Sequence, residues 1–243
     1  MSKSAFFRFY GELNDFLPSQ KGQQQVRYEF SGSPAIKDAI QALGVPQVEV
    51  FLIQVNGEPT DFAYNINIDD QVSVYPLITK FTVEENPIQR KPILGLRFVL
   101  DCHLGKLARH LRMLGFDTLY RNDIHDDEIV KLAELEDRIV LTRDLAILKC
   151  NAVTHGYYPR SQDPEKQLEE IITRFDLMSH IRPFSRCMDC NGYLENVEKE
   201  LITHKLEPLT RSHFDEFLQC DGCGKVYWKG SHYERMCERL GWE

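Results

Sequence analysis

Two short apolar runs in this chain each close on an aspartate. Residues 97–100 lead into Asp101, and residues 138–142 are followed one residue later by Asp144. Runs this short and this apolar predict strands buried on both faces. Between them lie two helical patterns and a further strand-like piece over 116–120. The order strand–helix–strand–helix–strand implies right-handed crossovers and a parallel sheet. Ligands of open α/β sheets bind beyond the carboxyl ends of the strands, so both acids point at the edge where chemistry is expected.

The intervening helices add charge to that edge. Over 103–115, Leu104, Leu107, Ala108, Leu111 and Leu114 make one apolar face and Gly115 closes the helix, while Lys106, Arg109, His110 and Arg112 occupy other faces. Those cations are either a solvated basic surface or contacts for a phosphate backbone. The segment 122–128 carries Asp123, Asp126, Asp127 and Glu128 ahead of an amphipathic helix over 129–136. Acids in a first turn are ordinary helix-dipole chemistry. As a group they sit where one of them would complete a three-carboxylate site, and Asp126 is favoured, with Asp123, Asp127 and Glu128 as substitutes.

Carboxylates forced together repel unless a cation neutralises them, and hard oxygen ligands suit Mg²⁺ or Mn²⁺. Such ions activate water and stabilise the charge of a phosphodiester displacement, the logic of many nucleases. A phospho-acceptor signalling domain would need a later strand-end lysine, and Asp144 is followed by none. Residues 152–158 supply a candidate fourth strand and 164–178 the next helix.

The first 80 residues read as ββαββ, an α+β arrangement: strands over 5–10 and 25–30, a helix from Ser33-Pro34 to Gly44, a strand over 48–55, an Asn56-Gly57 turn, and a strand over 71–75. This part resembles the ubiquitin-like β-grasp domains, especially small sulfur-carrier proteins. Those carriers act through a free C-terminal Gly-Gly. Here Tyr75-Pro76 continues into Leu77 and beyond, so an interaction or substrate-presenting domain with a protein partner is expected instead. Residues 81–92, with two prolines and no periodicity, read as a linker.

Beyond Pro183 the chain changes character. Cys187-x-x-Cys190 and Cys220-x-x-Cys223 are two knuckles, each with a glycine close behind, Gly192 and Gly224. This pattern predicts a Cys₄ zinc ribbon with a structural, closed Zn²⁺ site. Cys102, Cys150 and Cys237 are left as free thiols, and His213 and His232 as surface or substrate-facing residues. Tyr227, Trp228, Lys229, His232 and Arg235 interleave aromatic and basic groups, either stacking on single-stranded RNA or packing the ribbon.

Taken together, LDCHLGKLARHLRMLGFDTLYRND, DDEIVKLAELEDRIVLTRD, RCMDCNGYLENV and FLQCDGCGKVYWKGSH resemble the Mut-seven C-terminal RNase family. That family joins a PIN-like nuclease fold to a zinc ribbon, and some members carry a β-grasp domain in front. The resemblance implies a β-grasp domain over 1–80, a PIN-like α/β nuclease domain over 93–182 and a ribbon over 183–243. It matches Asp101, Asp144 and Asp126 or its neighbour to the family's acids, with Asp163 as a candidate fourth. It implies RNA cleavage at a carboxylate-bound Mg²⁺ or Mn²⁺, with Arg109 or Arg143 helping to neutralise the phosphate. A non-catalytic RNA-binding or adaptor protein is the competing reading. A net charge of −8 excludes a uniformly nucleic-acid-coated surface but not a local basic patch. No run of eighteen apolar residues is present, so no membrane span and a cytoplasmic location are expected.

Overall fold

The structure is a computed structural model that describes residues 3–18, 24–77, 86–89, 91–230, 233, 235 and 238. Half of the expected linker, residues 81–85 and 90, together with His232 and Cys237, lies outside the described residues. In chain order, the N-terminal elements are Lys3–Phe9 (β1), Val26–Phe30 (β2), Ile36–Ala42 (α1), Val50–Val55 (β3), Glu58–Thr60 (β4) and Gln71–Pro76 (β5). They are followed by Phe98–Leu100 (β6), Gly105–Met113 (α2), Thr118–Leu119 (β7), Asp126–Glu136 (α3), Ile139–Leu141 (β8), Leu145–Lys149 (α4), Gly156–Tyr157 (β9) and Pro164–Arg174 (α5). The C-terminal part holds Leu194–Val197 (β10), Lys199–Ile202 (α6), Pro208–His213 (α7), Phe217–Cys220 (β11) and Val226–Tyr227 (β12).

The chain forms two compact units. Met1–His103 and Asp123–Arg160 make the first; Leu104–Asn122 and Ser161–Glu243 make the second.

In the first unit, strands β2-β1-β5-β3-β4 form a mixed sheet in which β1 and β5 run parallel and the hairpin pairs are antiparallel. The Asn56-Gly57 turn has both residues at positive φ, 53° and 94°, as a primed hairpin turn demands. It adds β4, which at three residues is too short to show a period in the sequence. Phe7, Phe9, Ile36, Ile40, Ile53 and Val74 are buried under this sheet. Helix α1 starts later than Ser33-Pro34 suggests, because Ala35 is bridged to Asn65 and the Ile36 N–H donates to Tyr64 O at 2.8 Å. Further strands of this unit make the expected parallel sheet: β6 pairs with β8, Leu100 opposite Leu141, and β8 pairs with β9. All residues of β6 and β8 are buried, as strands covered on both faces must be. Helix α3 turns Ile129 and Ala133 inward.

In the second unit, α2 buries Leu107, Ala108 and Leu111 and ends at Gly115, whose φ is +94°. A Cβ there would stand 2.1 Å from Arg182 O, so only glycine fits. Asp163 caps α5 by accepting the N–H groups of Glu165 and Lys166, with Pro164 in the first turn. Strands β10-β11-β12 form a small antiparallel sheet that carries the second pair of cysteines.

Candidate active site and metal centre

The register of β6 against β8 sets Asp101 beside Thr142 at the carboxyl edge of the parallel sheet, with the Asp101 N–H donating to Leu141 O. Asp101 is 6 % exposed. Its Oδ1 accepts the His103 N–H at 2.7 Å; its Oδ2 accepts the Thr142 hydroxyl at 2.5 Å and the Arg143 N–H at 3.2 Å. Thr142 Oγ1 also accepts the Asp144 N–H at 2.9 Å, so a single hydroxyl ties the two acids together. Asp144 itself is exposed and caps α4, its Oδ1 accepting the Ala146 N–H at 2.6 Å. Arg143 lays its guanidinium over the Tyr158 ring, 5.6 Å from the centroid.

Asp126 is the first residue of α3 and is exposed, as are Asp123 and Asp127. Among the described residues, the carboxylates do not form a group of three ligand atoms within 4.8 Å. Asp163, in the second unit, serves as the α5 cap.

Four cysteines do converge. The Sγ atoms of Cys187, Cys190, Cys220 and Cys223 lie within 4.8 Å of one another, with Cys187–Cys223 at 3.6 Å and Cys190–Cys220 at 3.3 Å. Tetrahedral zinc at a Zn–S distance of about 2.3 Å needs sulfurs about 3.8 Å apart, which this set meets with small adjustments. The N–H groups of Cys190 and Cys223 point back at the sulfurs of Cys187 and Cys220, at 3.5 and 3.4 Å. A Cβ at Gly192 would stand 2.9 Å from Cys220 Sγ, so the first knuckle approaches that closely only without a side chain. The donor set is that of a closed structural zinc site.

Burial opposes ionisation of Cys187, but the Tyr227 hydroxyl, 3.1 Å from its sulfur, and the Cys190 and Asp189 amides outweigh it and draw the thiol down to about 7. Burial pushes Cys190 and Cys220 up, and Cys223 also ends above its ordinary value against the pull of the Lys225 amide.

A family model described as the Mut7-C RNAse domain matches residues 96–240, and a second, described as Mut7-C ubiquitin, matches residues 2–82. The chain belongs to the Mut7-C RNAse family. Among solved structures, two of small archaeal modifier protein 1 (SAMP1) from Haloferax volcanii match 32 % and 31 % of this chain and 99 % of their own, at 14 % and 13 % identity, each with a TM-score of 0.25. No curated protein matches.

Several cations of this Mut7-C RNAse domain have structural occupations. Arg112, one of the expected basic-face residues, is only 3 % exposed. Its Nε donates to Thr118 O at 2.9 Å, its Nη1 to Asp189 O at 2.8 Å and to Met188 O at 3.2 Å, and its Nη2 to Tyr120 O at 3.4 Å. Burial lowers its pKa, and the nearby cysteines and acids pull the other way. Arg112 therefore ties the first knuckle to α2 and β7 and places a positive charge near Cys187 and Cys190, where it would offset the −2 of a Cys₄ zinc centre. Arg109, exposed in the middle of α2, pairs with Asp189 at 3.2 Å, and the same carboxylate pairs with Lys225. Tyr227 is buried against Cys187, which decides for packing over stacking. Trp228 packs against Phe214 and Phe217 but also lines a groove of about 840 Å³ that includes Lys106, Arg109, Lys225 and Tyr233.

The sequence reading missed Thr142, Tyr158 and Glu49. A threonine between an apolar run and Arg143-Asp144 was the one available signal for Thr142. Glu49, one residue before β3, is fully buried, which nothing in its local sequence foretells. Among the described residues no helix is long and apolar enough to cross a membrane.

Proposed function

We propose that this chain is a metal-dependent ribonuclease that hydrolyses phosphodiesters of single-stranded RNA. The observation that carries the reading is the pairing of Asp101 and Asp144 at the carboxyl ends of adjacent parallel strands, joined through the Thr142 hydroxyl. Hard divalent ions suit this donor set: Mg²⁺ is held by one or two carboxylates, keeps several waters and shares substrate phosphate oxygens. Asp101 and Asp144 would hold the ion and Asp126 is the proposed third ligand, with Asp123, Asp127 and Glu128 behind it. When bound, such an ion lowers the pKa of a water and stabilises charge on the phosphate.

The protein's own contribution is preorganisation. Three donors fix the Asp101 carboxylate before substrate arrives, so little reorganisation is left for the reaction. Asp144 spends one oxygen on the α4 cap and keeps the other for a metal. Arg143 is the favoured phosphate partner, because its backbone is already anchored to Asp101. The aromatic and cationic groove of the second unit offers stacking and phosphate contacts to a single strand. The nuclease activity is assigned to residues 93–182, with the ribbon over 183–243 as its zinc-stabilised companion. The β-grasp residues 1–80 also offer a surface to a protein partner.

Cleavage of a labelled single-stranded RNA with Mn²⁺, compared between wild type and Asp144→Asn, tests this reading. Metal-dependent cleavage that vanishes in the variant supports it. An Asp144→Asn chain that cleaves at the wild-type rate removes it and leaves the adaptor reading in first place.

A further inference from the structure

We propose that Tyr158 is a positioning residue for Arg143, and that Glu49 and Phe16 of the β-grasp part hold Tyr158 in that role. The inference rests on the ribonuclease reading, in which Arg143 meets the substrate phosphate.

The backbone of Arg143 is fixed at the acid site by its N–H bond to Asp101, but a long side chain on a surface samples many rotamers. The Tyr158 ring lies under the guanidinium at 5.6 Å, within the range over which a ring face attracts a cation. A planar guanidinium stacked on a planar ring loses rotamer freedom while keeping its N–H edge for an anion.

Tyr158 is in turn held by residues far earlier in the chain. Its N–H donates to Glu49 Oε1 at 2.8 Å, and its ring meets the Phe16 ring edge-on with centroids 5.5 Å apart. Two residues on, Arg160 donates to Tyr158 O at 2.9 Å, pairs with Glu49 at 3.2 Å and lies over Phe16 at 5.1 Å. A buried carboxylate is tolerated only when paired and hydrogen-bonded, and Glu49 draws its named partners from Tyr158 and Arg160. Separating the β-grasp part from this segment would break the Glu49 bonds to the Tyr158 N–H and the Arg160 guanidinium. Because β9, which ends at Tyr157, pairs with β8, the same lock supports the strand that delivers Thr142 and Asp144. The β-grasp part is thus a piece of the active-site support rather than a detachable tag.

The test uses the full chain as wild type, Tyr158→Phe, Tyr158→Leu, Arg143→Ala and the Arg143→Ala/Tyr158→Leu double variant. Cleavage of single-stranded RNA with Mn²⁺ is read as kcat/KM, and the Arg143 Nε–Hε resonance is followed by NMR. The phenylalanine variant is expected to stay within about twofold of wild type, because the ring face remains. The leucine variant is expected to lose roughly threefold to tenfold, and to lose nothing further once Arg143 is alanine, because the two residues act as one unit. The Arg143 Hε resonance should carry a ring-current shift that survives in Tyr158→Phe and disappears in Tyr158→Leu. A further loss in the Arg143→Ala background, or an Hε resonance that ignores the ring, overturns the proposal in favour of a purely structural tyrosine. A wild-type chain that cleaves no RNA overturns the ribonuclease reading instead, and the Hε shift still decides whether Tyr158 holds Arg143.

Discussion

The Thr142 hydroxyl donates to Asp101 Oδ2 at 2.5 Å while accepting the backbone N–H of Asp144, so the buried acid and the exposed one share a single side chain. Thr142 is itself fully buried. Thr142→Val keeps the shape and removes the hydroxyl, leaving a buried carboxylate one donor short. We expect a loss of about 1–3 kcal/mol in urea unfolding together with a fall in RNA cleavage. Thr142→Ser should recover most of both. An unchanged urea midpoint in Thr142→Val would show that water replaces the hydroxyl.

The two acids should fail as one site. Asp101→Asn and Asp144→Asn are each expected to lower the cleavage rate on the order of a hundredfold, with the double variant little worse than either. Their stabilities should diverge. Asparagine is as good a helix cap as aspartate, so Asp144→Asn leaves the melt nearly unchanged, whereas Asp144→Ala costs about 1 kcal/mol. Rates and melts measured on the same preparations separate the catalytic role from the capping one.

Arg112 is expected to behave as a core residue despite its charge. Lysine cannot span the carbonyls of Thr118, Tyr120, Met188 and Asp189 at once, so Arg112→Lys should cost about 2–4 kcal/mol and weaken zinc retention. Arg109→Lys, on the exposed pair with Asp189, should change stability by less than about 1 kcal/mol. Zinc content after mild chelation, beside thermal melts, distinguishes the two.

Zinc uptake should be strongly pH-dependent. Cys190, Cys220 and Cys223 are held above their ordinary value and stay protonated at neutral pH, while Cys187 at about 7 is half ionised there. Because zinc binds thiolates, uptake at pH 7 should release about three to four protons, and affinity should fall steeply as pH drops below 7. Titration calorimetry in buffers of different ionisation enthalpy counts those protons. Removing the zinc altogether, or substituting Cys190→Ser, should unfold the ribbon, and a fully folded zinc-free ribbon would contradict its structural role.

Arg160→Ala should be among the costliest single changes. It removes the ion-pair partner of the fully buried Glu49, and removing one partner of a buried ion pair costs about 3–5 kcal/mol. Burial alone would lower the pKa of Arg160, yet Glu49, Tyr157 and Glu12 more than reverse that, so the guanidinium stays charged. Chemical unfolding of Arg160→Ala against Arg160→Lys measures the cost.

What could be read directly was local and periodic. The alternation and apolar runs specified the β-grasp order, the parallel strands ending on Asp101 and Asp144, and the α2 face closed by Gly115, because burial on one or both faces leaves its period in the sequence. The two cysteine pairs were legible for a similar reason: tetrahedral sulfur coordination permits few spacings. Long-range pairing left no such trace. Whether Arg112 meets solvent or four carbonyls, and whether Tyr227 stacks on a ligand or on a cysteine, depends on residues dozens of positions away. Glu49 reads as a surface acid until Tyr158 and Arg160 fold against it. Thr142 acquires its role only when the strand register sets it beside Asp101, because a hydrogen bond needs its partner within about 3 Å and sequence neighbours do not supply that distance.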